Sequence, residues 1–221
     1  MRRIADQIQV VLFDLGGVLV ELRGVPTMLA WLGHRVSLEE LWALWLASPA
    51  VRRFETGRST PAEFSAQIIR ELSLPVSKEE FMANFQSWLV GLLPGALDVV
   101  RSVPSRFTRA TLSNNSELHW RRLMTEFDIE KAFHHHFASH LTGKIKPDRD
   151  AYQNVLETLG CKAESVFFLH DSTLNVEAAS QVGMHAVQVR GPEEARRALV
   201  NAGILSPSEQ GAQSAVTRSG S

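Results

Sequence analysis

The sequence predicts an α/β protein: a doubly wound parallel sheet with an α-helical module inserted after its first strand. Three observations carry that expectation. The run Gln9-Val10-Val11-Leu12-Phe13-Asp14-Leu15-Gly16-Gly17 is almost wholly apolar until it meets a carboxylate and, after one intervening leucine, a pair of glycines. From about Asp98 onward short apolar strands alternate with helical patterns, the rhythm of a parallel sheet with right-handed crossovers. Between these regions, residues 21–92 break the rhythm with helix signals and carry Trp31, Trp42, Trp45 and Trp88.

A short apolar run bounded by a turn signal, such as Val10 to Phe13, reads as a strand buried on both faces. Asp14 then stands at its C-terminal end, where open α/β sheets hold their ligands. Gly16 and Gly17 let the next backbone turn sharply and approach a ligand closely, although an Asp near glycines also suits a plain turn. In the insertion, Ser37-Leu38-Glu39-Glu40 and Ser77-Lys78-Glu79-Glu80 have the form of capping boxes. Thr60-Pro61-Ala62-Glu63 adds a proline at the first helical position. Phe64, Ile68 and Leu72 form one apolar stripe, and Phe81, Phe85, Trp88 and Leu92 another, both at the spacing of helical core. No strand is expected in this segment. Leu93-Pro94-Gly95 marks the return to the main domain.

Beyond it, Arg109 to Leu112, Ser165 to Leu169 and His185 to Val189 read as strands ending in polar turns. Tyr152, Val155, Leu156 and Leu159 repeat as an amphipathic helix. Ala178, Ala179 and Val182 suit a helix packed closely on the sheet. The expected organisation is therefore a core of residues 1–20 and 93–205, a helical cap of residues 21–92, and a disordered tail over 206–221, rich in Ser, Gln, Gly and Ala.

Bulk properties exclude several classes. The 221 residues carry 23 basic and 24 acidic side chains, a net charge of −1, so nothing electrostatic favours nucleic acid or an anionic membrane. No run reaches the roughly 18 apolar residues of a membrane helix. Asp6 and Asp14 interrupt the chain after Met1-Arg2-Arg3, leaving no leader-like apolar stretch. The lone Cys161 allows no intramolecular disulfide and fits a reducing compartment. A cytoplasmic protein is expected, with monomer and homodimer both open. His134-His135-His136 has no acidic partner at metal spacing, and in an extended segment its middle ring points away from the other two. No metal is assigned there, and His119 and His140 carry no signal.

Four strand ends or adjoining loops carry chemistry: Asp14, Ser113-Asn114, Lys146 in Lys144-Ile145-Lys146-Pro147-Asp148, and Asp171 in His170-Asp171-Ser172. In a doubly wound sheet these loops converge on one rim. A proline after Lys146 restricts that residue's backbone and so aims its side chain. A carboxylate nucleophile, a lysine, hydroxyl and amide donors and a second carboxylate suit phosphoryl or related group transfer.

On these residues the chain, over about 8–203, resembles the haloacid dehalogenase superfamily, mostly Mg²⁺-dependent phosphatases. Phe13-Asp14-Leu15-Gly16-Gly17-Val18-Leu19 is similar to the first motif, which makes Asp14 the nucleophile. Leu112-Ser113-Asn114-Asn115 is similar to the second, with Ser113 and Asn114 binding the phosphoryl group. Lys146-Pro147-Asp148 is similar to the third, with Lys146 stabilising charge. Phe168-Leu169-His170-Asp171-Ser172 with Asn175-Val176-Glu177 resembles the fourth. The resemblance implies Mg²⁺ held by Asp14, the Gly16 carbonyl and Asp171, with His170 and Asn175 behind them. It implies a phosphorylated small molecule, such as a sugar phosphate, as substrate. The insertion resembles the family's helical C1 cap. Phe54-Glu55-Thr56-Gly57-Arg58 is similar to cap segments of the sugar-phosphatase and epoxide-hydrolase-like branch, with Arg58 a candidate substrate contact.

Two positions depart from the family pattern. Phosphatases of the family usually carry a general-acid Asp two residues after the nucleophile, and Gly16 stands there. A departing oxygen must then leave partly as an anion or take its proton from water or a neighbour, His170 being the first candidate. His170 itself replaces the usual Gly or Asp, and Asn175 stands where many relatives have a carboxylate, able to orient Lys146 or a metal-bound water. The competing functions are a metal-independent 2-haloacid dehalogenase, compatible with Gly16 but with no use for Asp171, and a weakly active binding or regulatory member of the fold.

Overall fold

A computed structural model describes residues 4–207. The chain begins with β1 (Val10–Phe13) and β2 (Val20–Leu22), followed by α1 (Gly24–Trp31), α2 (Leu38–Ala47), α3 (Pro49–Glu55), α4 (Pro61–Leu72) and α5 (Lys78–Ser87). It continues through β3 (Leu89–Leu92), α6 (Ala96–Ser102), β4 (Thr108–Ser113), α7 (Glu117–Glu126), α8 (Ile129–Ala132) and β5 (His135–Ala138). Last come α9 (Ser139–Thr142), α10 (Arg149–Leu159), β6 (Val166–His170), α11 (Thr173–Val182), β7 (His185–Gln188) and α12 (Gly191–Asn201). The tail expected to be disordered lies, from residue 208 on, outside the described residues.

Five strands form a parallel sheet in the order β5-β4-β1-β6-β7. β1 is central, with Val10 in register with both Thr108 and Val166. The chain builds outward from β1 through β4 to β5, then returns to lay β6 and β7 on the other side. That reversal opens a crevice beside the C-terminal end of β1. Successive side chains of β1 enter opposite apolar layers, Val11 and Phe13 into one and Val10 and Leu12 into the other. Both layers are roofed by helices, so all four residues are buried.

α1 to α5 enclose a separate apolar cluster that includes Met28, Trp45, Phe54, Phe64, Ile68 and Phe81. Phe54 stacks on Phe64 with centroids 4.3 Å apart, binding α3 to α4. Ser37 and Thr60 form complete capping boxes with Glu40 and Glu63, and Ser77 caps α5 through the Glu80 amide.

Residues 21–92 are not wholly helical, contrary to the sequence expectation. β2 and β3 pair as an antiparallel ribbon, Val20 opposite Leu92, at the base of the helical module. Both strands are too short for alternation to register, and β3 contains Gly91. Beside the ribbon, Gly24 lies so close to Trp88 that a Cβ there would stand 2.6 Å from the ring carbon Cε2. Two side chains of α7 brace the same region. His119 Nε2 lies 2.7 Å from the Phe85 carbonyl, and Arg122 donates to the Gln86 and Leu89 carbonyls. His119, which carries no signal in the sequence, thus joins the sheet domain to α5. Among the described residues no helix is long and apolar enough to cross a membrane.

Candidate active site

Asp14 follows β1 directly and is buried at 5 % exposure. Its amide donates to the Leu169 carbonyl at the end of β6, which fixes the carboxylate over the crevice. Asp14 Oδ1 accepts from Lys146 Nζ at 2.7 Å, and Oδ2 lies 3.3 Å from His170 Nε2. Burial opposes ionisation of Asp14, but His170 and Lys146 outweigh it and hold the carboxyl below its ordinary 3.8. A carboxylate kept ionised in a buried site is in the form required of a nucleophile.

Lys146 is also buried, and its ammonium donates to the Leu112 carbonyl at 2.9 Å while lying 2.7 Å from His170 Nε2. Its backbone is held by Asn114: Asn114 Oδ1 accepts from the Lys146 amide, and Asn114 Nδ2 donates to the Lys146 carbonyl, each at 2.9 Å. Both ends of the Asn114 side-chain amide are thus occupied in positioning the lysine, so the substrate contact expected of Asn114 falls to its backbone amide. Ser113, buried at the end of β4, has only a 3.5 Å contact to the Asn114 carbonyl, so its hydroxyl is available. Arg58 is exposed in the loop after α3.

Asp171 is brought in by a glycine. Gly17 adopts φ +71°, and a Cβ there would stand 2.9 Å from Asp171 Cγ and closer still to Oδ2. Only the bare backbone lets this carboxylate lie against the first loop. Donor atoms of Asp14, His170 and Asp171 all fall within 4.8 Å of one another. His170 Nδ1 is 3.0 Å from both Asp171 Oδ1 and the Ser172 amide that donates to it, while Nε2 faces Lys146, Asp14 and Asn175 Nδ2. With both ring nitrogens engaged, the oxygens of Asp14 and Asp171 are the donors left for a cation. No hydrogen bond among the described residues reaches the Gly16 carbonyl, leaving it free as a third oxygen. Such an all-oxygen set suits a hard cation such as Mg²⁺.

Of the two roles expected of Asn175, orienting Lys146 or a metal-bound water, the first has no direct hydrogen bond: its Nδ2 meets His170, and its Oδ1 is buried without a hydrogen-bond partner. Its carbonyl accepts from the Tyr152 hydroxyl at 3.0 Å, tying α11 to α10 beneath the site. Sequence reasoning gave no role to Glu55, the last residue of α3. Burial pushes its carboxyl up to about 7, while the Trp45 indole, which donates to it, and the charge of Lys146 partly offset the rise.

Comparison with known proteins agrees with this geometry. Residues 54–189 match the haloacid dehalogenase-like hydrolase family. The sesquiterpene phosphatase astK of Aspergillus oryzae is 30 % identical over 179 residues, 78 % of this chain and 85 % of that protein. An aspartate-to-alanine variant of the HAD family enzyme bt-2542 of Bacteroides thetaiotaomicron, solved with magnesium and inorganic phosphate, superposes with a TM-score of 0.64. It is 25 % identical, over 83 % of this chain and 94 % of that one. The L-2-haloacid dehalogenase of Xanthobacter autotrophicus shares the fold at 21 % identity and a TM-score of 0.59, over 90 % of this chain and 85 % of that one. A buried aspartate at the end of the central strand, a lysine clamped against it and a matching span of more than half the sequence lead to one conclusion: the chain belongs to the haloacid dehalogenase-like hydrolases.

Proposed function

We propose that this hydrolase is a Mg²⁺-dependent phosphatase that cleaves a small phosphomonoester through an aspartyl-phosphate at Asp14. The observation that carries the reading is the ionised Asp14 carboxylate, with Lys146 Nζ 2.7 Å from one oxygen and the Asp171 carboxylate held nearby by Gly17. Asp14 attacks phosphorus, Lys146 offsets negative charge on the phosphoryl oxygens, and the Ser113 hydroxyl donates to one of them. Water then cleaves the acyl phosphate. Asp14, the Gly16 carbonyl and Asp171 would hold the cation, which supplies charge neutralisation at the phosphoryl group. The sesquiterpene phosphatase relative and the magnesium–phosphate complex of bt-2542 support this reading over halide displacement. Asp171 supports it as well, because metal-free displacement needs no second carboxylate. Sugar phosphates and prenyl-type monophosphates are the substrate classes to screen.

The test is phosphate release from p-nitrophenyl phosphate by the parent and by Asp14→Asn, with circular dichroism on the same preparations. The variant should keep the fold and lose turnover. Activity within about tenfold of the parent would refute the nucleophile, given that covalent catalysis depends on the carboxylate. Chelation should stop the parent and restored Mg²⁺ should recover it. Halide release from a 2-haloacid that persists in chelator would favour the dehalogenase instead.

A further inference from the structure

A phosphatase with Gly16 in the acid position has no side chain there to protonate its leaving group. His170 does not fill the gap, because its ring is enclosed by Lys146, Asp14, Asn175, Asp171 and the Ser172 amide. The helical module offers another group. The end of α3 is pressed onto the loop that carries Lys146 and onto α9 just before it, by one contact on each side of Glu55. Arg52 pairs with Asp148, two residues after Lys146. Gly57 lies directly against the His140 carbonyl, with the His140 carbonyl carbon only 3.4 Å from where a Cβ would stand.

Between those contacts, the half-buried Glu55 feels the charge of Lys146 and accepts from the Trp45 indole. We propose that Glu55 is the general acid–base of this enzyme, delivered to the leaving group by the helical module in place of a side chain at position 16; the inference rests on the phosphatase reading above. When a carboxylate oxygen of Asp14 bonds to phosphorus, the phosphorus–oxygen ester bond breaks and its electron pair stays on the departing oxygen. That oxygen takes the Glu55 proton and leaves as an alcohol. The Glu55 carboxylate then accepts a proton from water as the water oxygen bonds to the phosphorus of the aspartyl-phosphate. Phosphate departs, and Asp14 and protonated Glu55 are restored.

The environment suits both halves of the cycle. A carboxyl that titrates at about 7 is populated as acid and as base near neutral pH, where an ordinary Glu at 4.5 is almost wholly ionised. Of the other charged groups on the elements packed around α3, Glu39, Arg53 and Arg70 are exposed and several are engaged elsewhere. Arg52 is paired with Asp148, Glu40 and Glu63 turn back to their own helix caps, and Glu71 takes the Ser48 hydroxyl. His140 on α9 is held below its ordinary range by burial. Lys146 supplies the charge that acts on the Glu55 carboxyl.

The test compares the parent, Glu55→Gln, Glu55→Asp and Asp14→Asn with two esters, p-nitrophenyl phosphate and n-butyl phosphate. With the alkyl ester, whose alcohol needs a proton to leave, Glu55→Gln should slow the first turnover by about 10²–10⁴-fold. The parent's loss of rate above about pH 7 should disappear from the pH profile. With the aryl ester, whose anion leaves unaided, the same variant should release a burst of nitrophenol close to the parent rate. Slow steady turnover should follow, as aspartyl-phosphate waits for a base. Glu55→Asp should recover part of the alkyl rate, which a residue that merely packs against Trp45 would not do. Equal slowing with both esters, unchanged rates with both, or a burst-free aryl reaction overturns the proposal. Failure of the phosphatase reading would look different: Asp14→Asn would retain the parental rate whatever occupies position 55, and the acid–base role would fall with it.

Discussion

The Glu55 carboxyl can also be examined with no substrate present, through its effect on folding. In the unfolded chain it titrates at 4.5, and in the folded protein at about 7, chiefly because burial disfavours its charge. Between those values the folded state holds a proton that the unfolded state has released, so stability falls as pH rises through this window. Below pH 4.5 the penalty is absent, and above about 7 it is present in full. At about 1.4 kcal/mol per pKa unit the penalty comes to about 3.5 kcal/mol, trimmed to about 2 kcal/mol by the part of the side chain still open to solvent. Glu55→Gln removes the ionisation and keeps the shape. It should match the parent at pH 4 and exceed it by about 2 kcal/mol at pH 8, a midpoint shift on the order of 1 M urea. Urea unfolding followed by tryptophan fluorescence suits the measurement, since Trp31, Trp42, Trp45 and Trp88 all lie on or beside the helices around Glu55. A difference between the proteins that does not change with pH would refute the reasoning.

Other substitutions probe other contacts. Gly17→Ala adds a Cβ where the Asp171 carboxylate lies and forces an L residue to φ +71°; the Mg²⁺ concentration for half-maximal activity should rise at least about tenfold, since misplacing a cation's carboxylate weakens its site, as a metal titration of phosphate release would reveal. Asn114→Ala removes both hydrogen bonds to the Lys146 backbone and should lower kcat by about 10–100-fold, the scale expected when a catalytic group loses its positioning partner; steady-state kinetics decide it. Phe64→Ala empties the space beneath Phe54 and Phe81 and should cost about 3–5 kcal/mol of the helical module's stability, read by urea titration of the same tryptophans. Tyr152→Phe removes the hydroxyl that ties α10 to the Asn175 carbonyl of α11, a loss of about 0.5–1.5 kcal/mol visible in thermal melting.

The sheet and the four site-bearing loops were legible because their signals are local. β1 and β6 are short apolar runs and β4 a short mixed one, each ending where the backbone must turn, so the position of Asp14, Ser113 or Asp171 follows from the end of its strand. Capping residues likewise announced α2, α4 and α5 before any packing was known. What stayed hidden depends on groups distant in the chain. The β2–β3 ribbon joins strands of three and four residues across some seventy positions. Asn114 could not be recognised as a clamp, because its partner is the backbone of a residue thirty-two positions away. Glu55 reads in sequence as one more acidic residue at a helix end. Its character comes from burial in the fold, which raises the carboxyl against a partial offset from Trp45 on the preceding helix and Lys146 beyond β5.

The pairing of Arg52 with Asp148 joins the helices to the loop after Lys146, yet its two side chains are 56 % and 36 % exposed. A pair so open to water contributes about 0–1 kcal/mol, enough to bias two arrangements of the molecule by no more than a factor of about five. Dissolved ions weaken it further, since the screening length falls from about 8 Å at physiological ionic strength to about 3 Å in 1 M salt. Ionic strength should therefore loosen the hold of α3 on the loop after Lys146 while the buried contacts around Asp14 are left almost unscreened.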